Sequence, residues 1–128
     1  MNRAEDIFEA YKKDIIKRFN LKKKWKIVVD GCNTGSGVFY PAIFKAAGCD
    51  VIEQNCVPDG NFPLGVPDPT EVEVLERVSK TVKSEKADIG FAYDTDGDRM
   101  SVVDDKGNIL WMDSIVALFA QDVLDFMP

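Results

Sequence analysis

Histidine is absent from the chain. That excludes imidazole metal sites, His-based nucleophilic triads and the commonest general base near neutral pH. Cysteine is scarce: Cys32, Cys49 and Cys56 make an odd number, and no C-x-x-C pair occurs. A disulfide framework and a thiolate zinc site are thereby disfavoured, and a reducing, cytoplasmic setting is expected. No apolar run reaches the roughly 18 residues needed to cross a bilayer. The opening residues do not read as a signal peptide, so no membrane partner is expected. Positive charge is in deficit: 16 Lys and Arg face 22 Asp and Glu, a net charge of −6. An acidic domain repels a phosphate backbone, so nucleic acid is not an expected partner. The basic cluster Lys22, Lys23, Lys24 and Lys26 reads as a solvated turn before a strand. Any chemistry must come from carboxylates, Lys, Arg or Cys.

What remains is an ordinary globular composition. The 128 residues are 45% hydrophobic and 30% charged, enough for one domain with its own core. Helix and strand alternate. Ile7, Phe8, Tyr11, Ile15 and Phe19 recur at helical spacing over about residues 4–19. Strands are expected at 26–30, 50–54, 88–92 and 100–104, with a glycine-rich turn at 31–37 and a short helix at 38–47. A long loop with Pro58, Gly60, Pro63, Gly65, Pro67 and Pro69 runs over 55–69. Thr70 and Glu73 have capping-box spacing, and Val72, Leu75, Val78 and Val82 give the following helix its apolar stripe. A turn at 105–108 precedes a last helix over 113–126, with Asp113 as its expected N-cap.

This order predicts an α/β fold, a three-layer α-β-α domain with a mixed, mostly parallel sheet of about four strands. The connection between the third and fourth strands is too short for a crossover, so the fourth should be antiparallel. The last helix is apolar nearly all round, through Ile115, Val116, Leu118, Phe119, Val123, Leu124, Phe126 and Met127. One side should meet the sheet, and the other calls for a neighbouring domain or a second copy. With the chain stopping at Pro128, the expectation is a single domain belonging to a longer chain.

The chemistry concentrates in Asp94-Thr95-Asp96-Gly97-Asp98-Arg99. In an extended segment residues i, i+2 and i+4 point the same way, so three carboxylates would converge. Convergence of like charges is costly without a cation, and all-oxygen ligands select Mg²⁺, Ca²⁺ or Mn²⁺ over zinc or copper. Gly97 allows a tight turn. The loop leaves the carboxyl end of a strand, where ligands bind in parallel α/β sheets. Arg99 presents a fork suited to a phosphoryl group. An EF-hand is excluded because Arg99 stands where that loop needs Gly, and Asp105 where it needs Glu. Glycines 31, 35 and 37 lack the spacing and lysine of a phosphate loop.

Three motifs together resemble the α-D-phosphohexomutases, the phosphoglucomutases and phosphomannomutases, in their second domain. Asp94 to Arg99 match a D-x-D-x-D-R metal loop. Asp30, Gly31, Asn33 and a glycine at 35 or 37 match D-G-x-N-x-x-G. Pro58, Asp59, Gly60, Phe62 and Pro63, followed by Pro67 and Pro69, match P-D-G-x-F-P with a later P-x-P. The resemblance covers nearly the whole chain. It implies Mg²⁺ held by Asp94, Asp96 and Asp98, a phosphoryl contact from Arg99, and a hexose phosphate substrate in the parent enzyme. It also implies a phosphoserine on another domain that exchanges its phosphoryl group with the sugar. The serine, sugar-selecting and phosphate-anchoring loops of that family are not found here, so this chain alone is expected to be inactive. Two other readings compete: a dehalogenase-type phosphatase with Asp94 as nucleophile, and a non-enzymatic module binding a cation or a partner.

Overall fold

The computed structural model describes residues 3–18 and 20–126, with side chains from Ile7 onward; Phe19 and Met127, two of the expected apolar positions, lie outside them. The elements follow in the order α1 (Arg3–Lys17), β1 (Lys26–Asp30), α2 (Ser36–Ala46), β2 (Asp50–Gln54), α3 (Val72–Glu85), β3 (Ile89–Tyr93), β4 (Met100–Asp104), β5 (Ile109–Leu110) and α4 (Met112–Phe126). They form an α/β fold around one mixed sheet of order β2-β1-β3-β4-β5. β1 lies parallel to both β2 and β3, whereas β4 runs antiparallel to β3, as its short connection requires. The sheet has five strands rather than four. The extra one, β5, pairs only Ile109 and Leu110 with β4, too short a stretch to register as alternation in the sequence.

Side-chain alternation divides the core between the faces. Ile27 and Val29 of β1 pack with Tyr93, Phe44 and Tyr40 toward α2. Val28, between them, joins Val74, Leu75, Val78 and Val82 of α3 on the opposite face. α1 lies against α2, with Phe8 set edge-on to Phe39. α3 approaches β3 closely at Gly90, where an added Cβ would stand 2.5 Å from Val78 Cγ1 and 2.6 Å from Val82 Cγ2. The basic turn before β1 is exposed, and Lys23 pairs with Asp88 while lying over the Trp25 ring.

Several local expectations are corrected. Thr70 does not cap α3; Glu71 takes the N-cap position without a side-chain bond. The Thr70 hydroxyl and amide both donate to Asp68 Oδ1, so a local turn has claimed the cap's hydrogen bonds. Val72 is exposed and Val74 is buried in its place, because the 74, 78, 82 row faces the sheet. α2 starts at Ser36, two residues early. Asp113 lies inside the first turn of α4, where it complements the helix dipole, rather than at the N-cap. α4 also meets the sheet less than expected: among its described residues only Ile115 is buried.

Candidate metal centre

The sequence after β3 folds around one carboxylate. Asp94 is 1% exposed. Its Oδ1 accepts hydrogen bonds from the Gly97 amide at 2.9 Å and the Arg99 amide at 3.2 Å, and its Oδ2 accepts from Arg99 Nε at 2.8 Å. Gly97 sits at φ +76°, the left-handed region where glycine carries no steric penalty. Carboxylate oxygens of Asp94, Asp96 and Asp98 thereby come within 4.8 Å of one another, with Asp94 buried and the other two exposed. The convergence predicted from spacing is present, but its cause differs. The segment is a turn wrapped around Asp94, not an extended strand.

Charge in the cluster is unbalanced. Burial pushes Asp94 up, yet the backbone and side-chain hydrogen bonds from Arg99 outweigh it and leave the carboxyl below its ordinary value. Asp98 is pushed the other way, first by the charge on Asp96 and then by Asp94. Arg99 lies across the acids. Besides Asp94 it reaches Asp68 Oδ2 through Nη1 at 3.3 Å, and its side chain stays 58% exposed. The Pro/Gly loop thus supplies the second anchor of this guanidinium.

The loop is also held from α2. Ser36 Oγ donates to the Asp94 carbonyl at 2.8 Å, with Thr34 Oγ1 at 3.3 Å from the same oxygen. Tyr40 donates its hydroxyl to the Gly97 carbonyl at 2.6 Å and stacks on Tyr93 with centroids 3.7 Å apart. Burial first, then the charges of Tyr11 and the aspartates, raises Tyr40 and keeps that hydroxyl protonated. Behind the site, fully buried Asp30 accepts from the Cys32 amide, Gln54, Asn55 and Arg77 Nε, a satisfied network that fixes the end of β1. A groove of about 490 Å³ opens beside the loop, lined by Arg99, Asp98, Thr70, Met112 and Phe119 among others.

The structure brings Asp94, Asp96, Asp98 and Arg99 together. Sequence reading missed Asp68, Ser36, Thr34 and Tyr40. One signal was available: Ser36 and Tyr40 are four apart on a helix that follows the carboxyl end of β1, the same sheet edge as the loop.

The family description "Phosphoglucomutase/phosphomannomutase, alpha/beta/alpha domain II" matches residues 8–107. The chain belongs to the phosphoglucomutase/phosphomannomutase family. A phosphomannomutase/phosphoglucomutase of Pseudomonas putida is 46% identical over 96% of this chain and 27% of its own length. A phosphoglucomutase of Neisseria gonorrhoeae is 40% identical over 97% of this chain and again 27% of its own length. A crystal structure of a phosphoglucomutase/phosphomannomutase family protein from Burkholderia thailandensis superimposes with a TM-score of 0.91 at 39% identity, covering 95% of this chain and 27% of that one. The chain therefore spans about a quarter of the length of the family relatives it matches. The family expected from the three motifs and the α/β fold expected from the order of elements are both shown.

Proposed function

We propose that this chain is the cation-holding domain of a phosphohexomutase, an enzyme that interconverts hexose 1-phosphate and hexose 6-phosphate through a phosphoserine on another domain. The observation that carries the reading is the gathering of three carboxylates within 4.8 Å at the carboxyl end of β3, beside an exposed arginine. The donors are all hard oxygens, and their mutual repulsion raises Asp98; a hard divalent cation such as Mg²⁺ fits both facts. Asp94, Asp96 and Asp98 would hold it, and the ion would supply positive charge to offset that on a transferring phosphoryl group.

The chain's own residues do the rest. Asp94 and Asp68 fix the guanidinium of Arg99 from two sides, so it can present its remaining donors to phosphoryl oxygens with little rotamer entropy left to lose. The paired, buried carboxylate of Asp94 suits a ligand better than a nucleophile, because Arg99 lowers its basicity. The relatives' names cover phosphomannomutase and phosphoglucomutase, so a hexose phosphate is the substrate class assigned to the parent enzyme.

An NMR titration with Mg²⁺ tests the reading. Amide shifts should centre on residues 94–99, with dissociation on the order of millimolar because fewer ligands are available than the cation prefers. Asp96→Asn should abolish the response with the fold intact. Shifts centred elsewhere, or identical titrations of the two proteins, would sink the assignment.

A further inference from the structure

We propose that Ser36 and Tyr40 are positioning residues that hold the metal loop in its cation-binding shape, an inference that rests on the metal reading above. The two side chains stand one turn apart on the same face of α2. Each donates to a carbonyl of the loop: Ser36 to Asp94 and Tyr40 to Gly97. Thr34 backs the first contact: its hydroxyl lies 2.7 Å from the Ser36 hydroxyl, which gives its own proton to Asp94. The two anchored carbonyls bracket Thr95 and Asp96. The Tyr40 ring is itself fixed by stacking on Tyr93, the residue that leads into the loop. It also walls off Gly97, where an added Cβ would stand 2.7 Å from Tyr40 Cε2.

The Asp94 amide closes the base of the loop on the Arg99 carbonyl at 3.3 Å; the other bonds that shape the turn are made by a carboxylate that must also serve the cation. Gly97 and Arg99 amides both point at Asp94 Oδ1. A loop held between its two ends only by that group would loosen under the repulsion of three acids and would have to be reassembled by each arriving ion. The hydroxyls of α2 act on the backbone carbonyls instead, so they hold the loop whether or not the carboxylates are engaged. They thus preorganise the ligands, which appears as affinity. Neither residue touches the ion in this account; both act through the loop.

The test compares Tyr40→Phe and Ser36→Ala with a control, Ser79→Ala, in this chain. Ser79 donates to the Gly107 carbonyl at 2.7 Å, the same kind of bond at the opposite end of the sheet. Two readouts are taken: Mn²⁺ affinity by electron paramagnetic resonance, and hydrogen exchange of the Gly97 and Arg99 amides in metal-free protein. Losing one hydroxyl-to-carbonyl bond should weaken Mn²⁺ binding about threefold to tenfold and speed exchange of both amides by a similar factor. Ser79→Ala should change neither. Variants that melt at lower temperature but keep wild-type affinity and exchange would show a purely structural role and overturn the proposal. So would equal losses in Ser79→Ala. Failure of the wild-type chain to bind Mn²⁺ would overturn the metal reading and this proposal with it; intact binding in both loop variants would overturn the proposal alone.

Discussion

Asp104, the last residue of β4, gathers three hydrogen bonds on one carboxylate, from the Lys106 amide, the Asn108 amide and Asn108 Nδ2. The Asn108 side chain is the main cause that holds its pKa below the ordinary 3.8. A carboxyl whose folded pKa lies below its unfolded value stabilises the fold above the unfolded value and loses that contribution as pH falls through the folded one. Urea denaturation across pH 5 to about 2 should therefore show stability falling with acid, and Asp104→Asn should flatten that dependence while costing up to about 1 kcal/mol near neutrality. An unchanged acid slope in the variant would dismiss Asp104 as a contributor. At this same scale the convergence of the three carboxylates was legible and its cause was not. Three aspartates at alternate positions can be read from spacing, but that one of them would be buried as the hub of a turn depends on amides of Gly97 and Arg99 meeting it. For Ser36 and Tyr40 only their four-residue spacing on α2 was legible, and Asp68 left no mark, because contacts that span 58, 57 and 31 positions have no local period.

Strands β1, β2 and β4 matched their expected bounds because short apolar runs between turn signals fit a buried sheet. Helix starts were less legible, since Asp68 diverted the bonds that Thr70 was expected to use for capping. Two consequences belong to elements. α3 lies on β3 through the absence of a side chain at Gly90, with no room for a methyl group between the valines. Gly90→Ala should destabilise the domain by about 1–3 kcal/mol in chemical denaturation, by forcing α3 away from the sheet; a neutral result would mean that the helix shifts freely. α4 keeps the apolar surface read from its composition: Leu118, Phe119, Val123 and Leu124 are all more than half exposed, and Phe126 is 85% exposed. A stripe of this kind associates in water. Light scattering should find the chain self-associating as concentration rises, and Phe119→Lys should return it toward a monomer. A wild-type monomer at high concentration would remove the idea.

The chain matches 27% of the length of the Pseudomonas putida relative, and the serine, sugar and phosphate loops on which the proposed mutase reaction would depend are not found in its sequence. Catalysis by positioning collapses when the groups to be positioned are missing. Coupled assays with glucose 1-phosphate and mannose 1-phosphate should give no turnover above a metal-only blank, whatever the Mg²⁺ concentration; turnover by this chain would place the transferring group inside it. Among the described residues no helix is long and apolar enough to cross a membrane.

The stacked pair Tyr40 and Tyr93 has a consequence of another kind. Two aromatic rings 3.7 Å apart and 6° from parallel, in an asymmetric setting, form a fixed chromophore pair. One ring belongs to the residue before Asp94, and the other is hydrogen-bonded to Gly97. Their near-ultraviolet circular dichroism, which depends on fixed tertiary packing, is tied to the geometry of the loop. The domain carries an optical gauge of its own loop, with no label to attach.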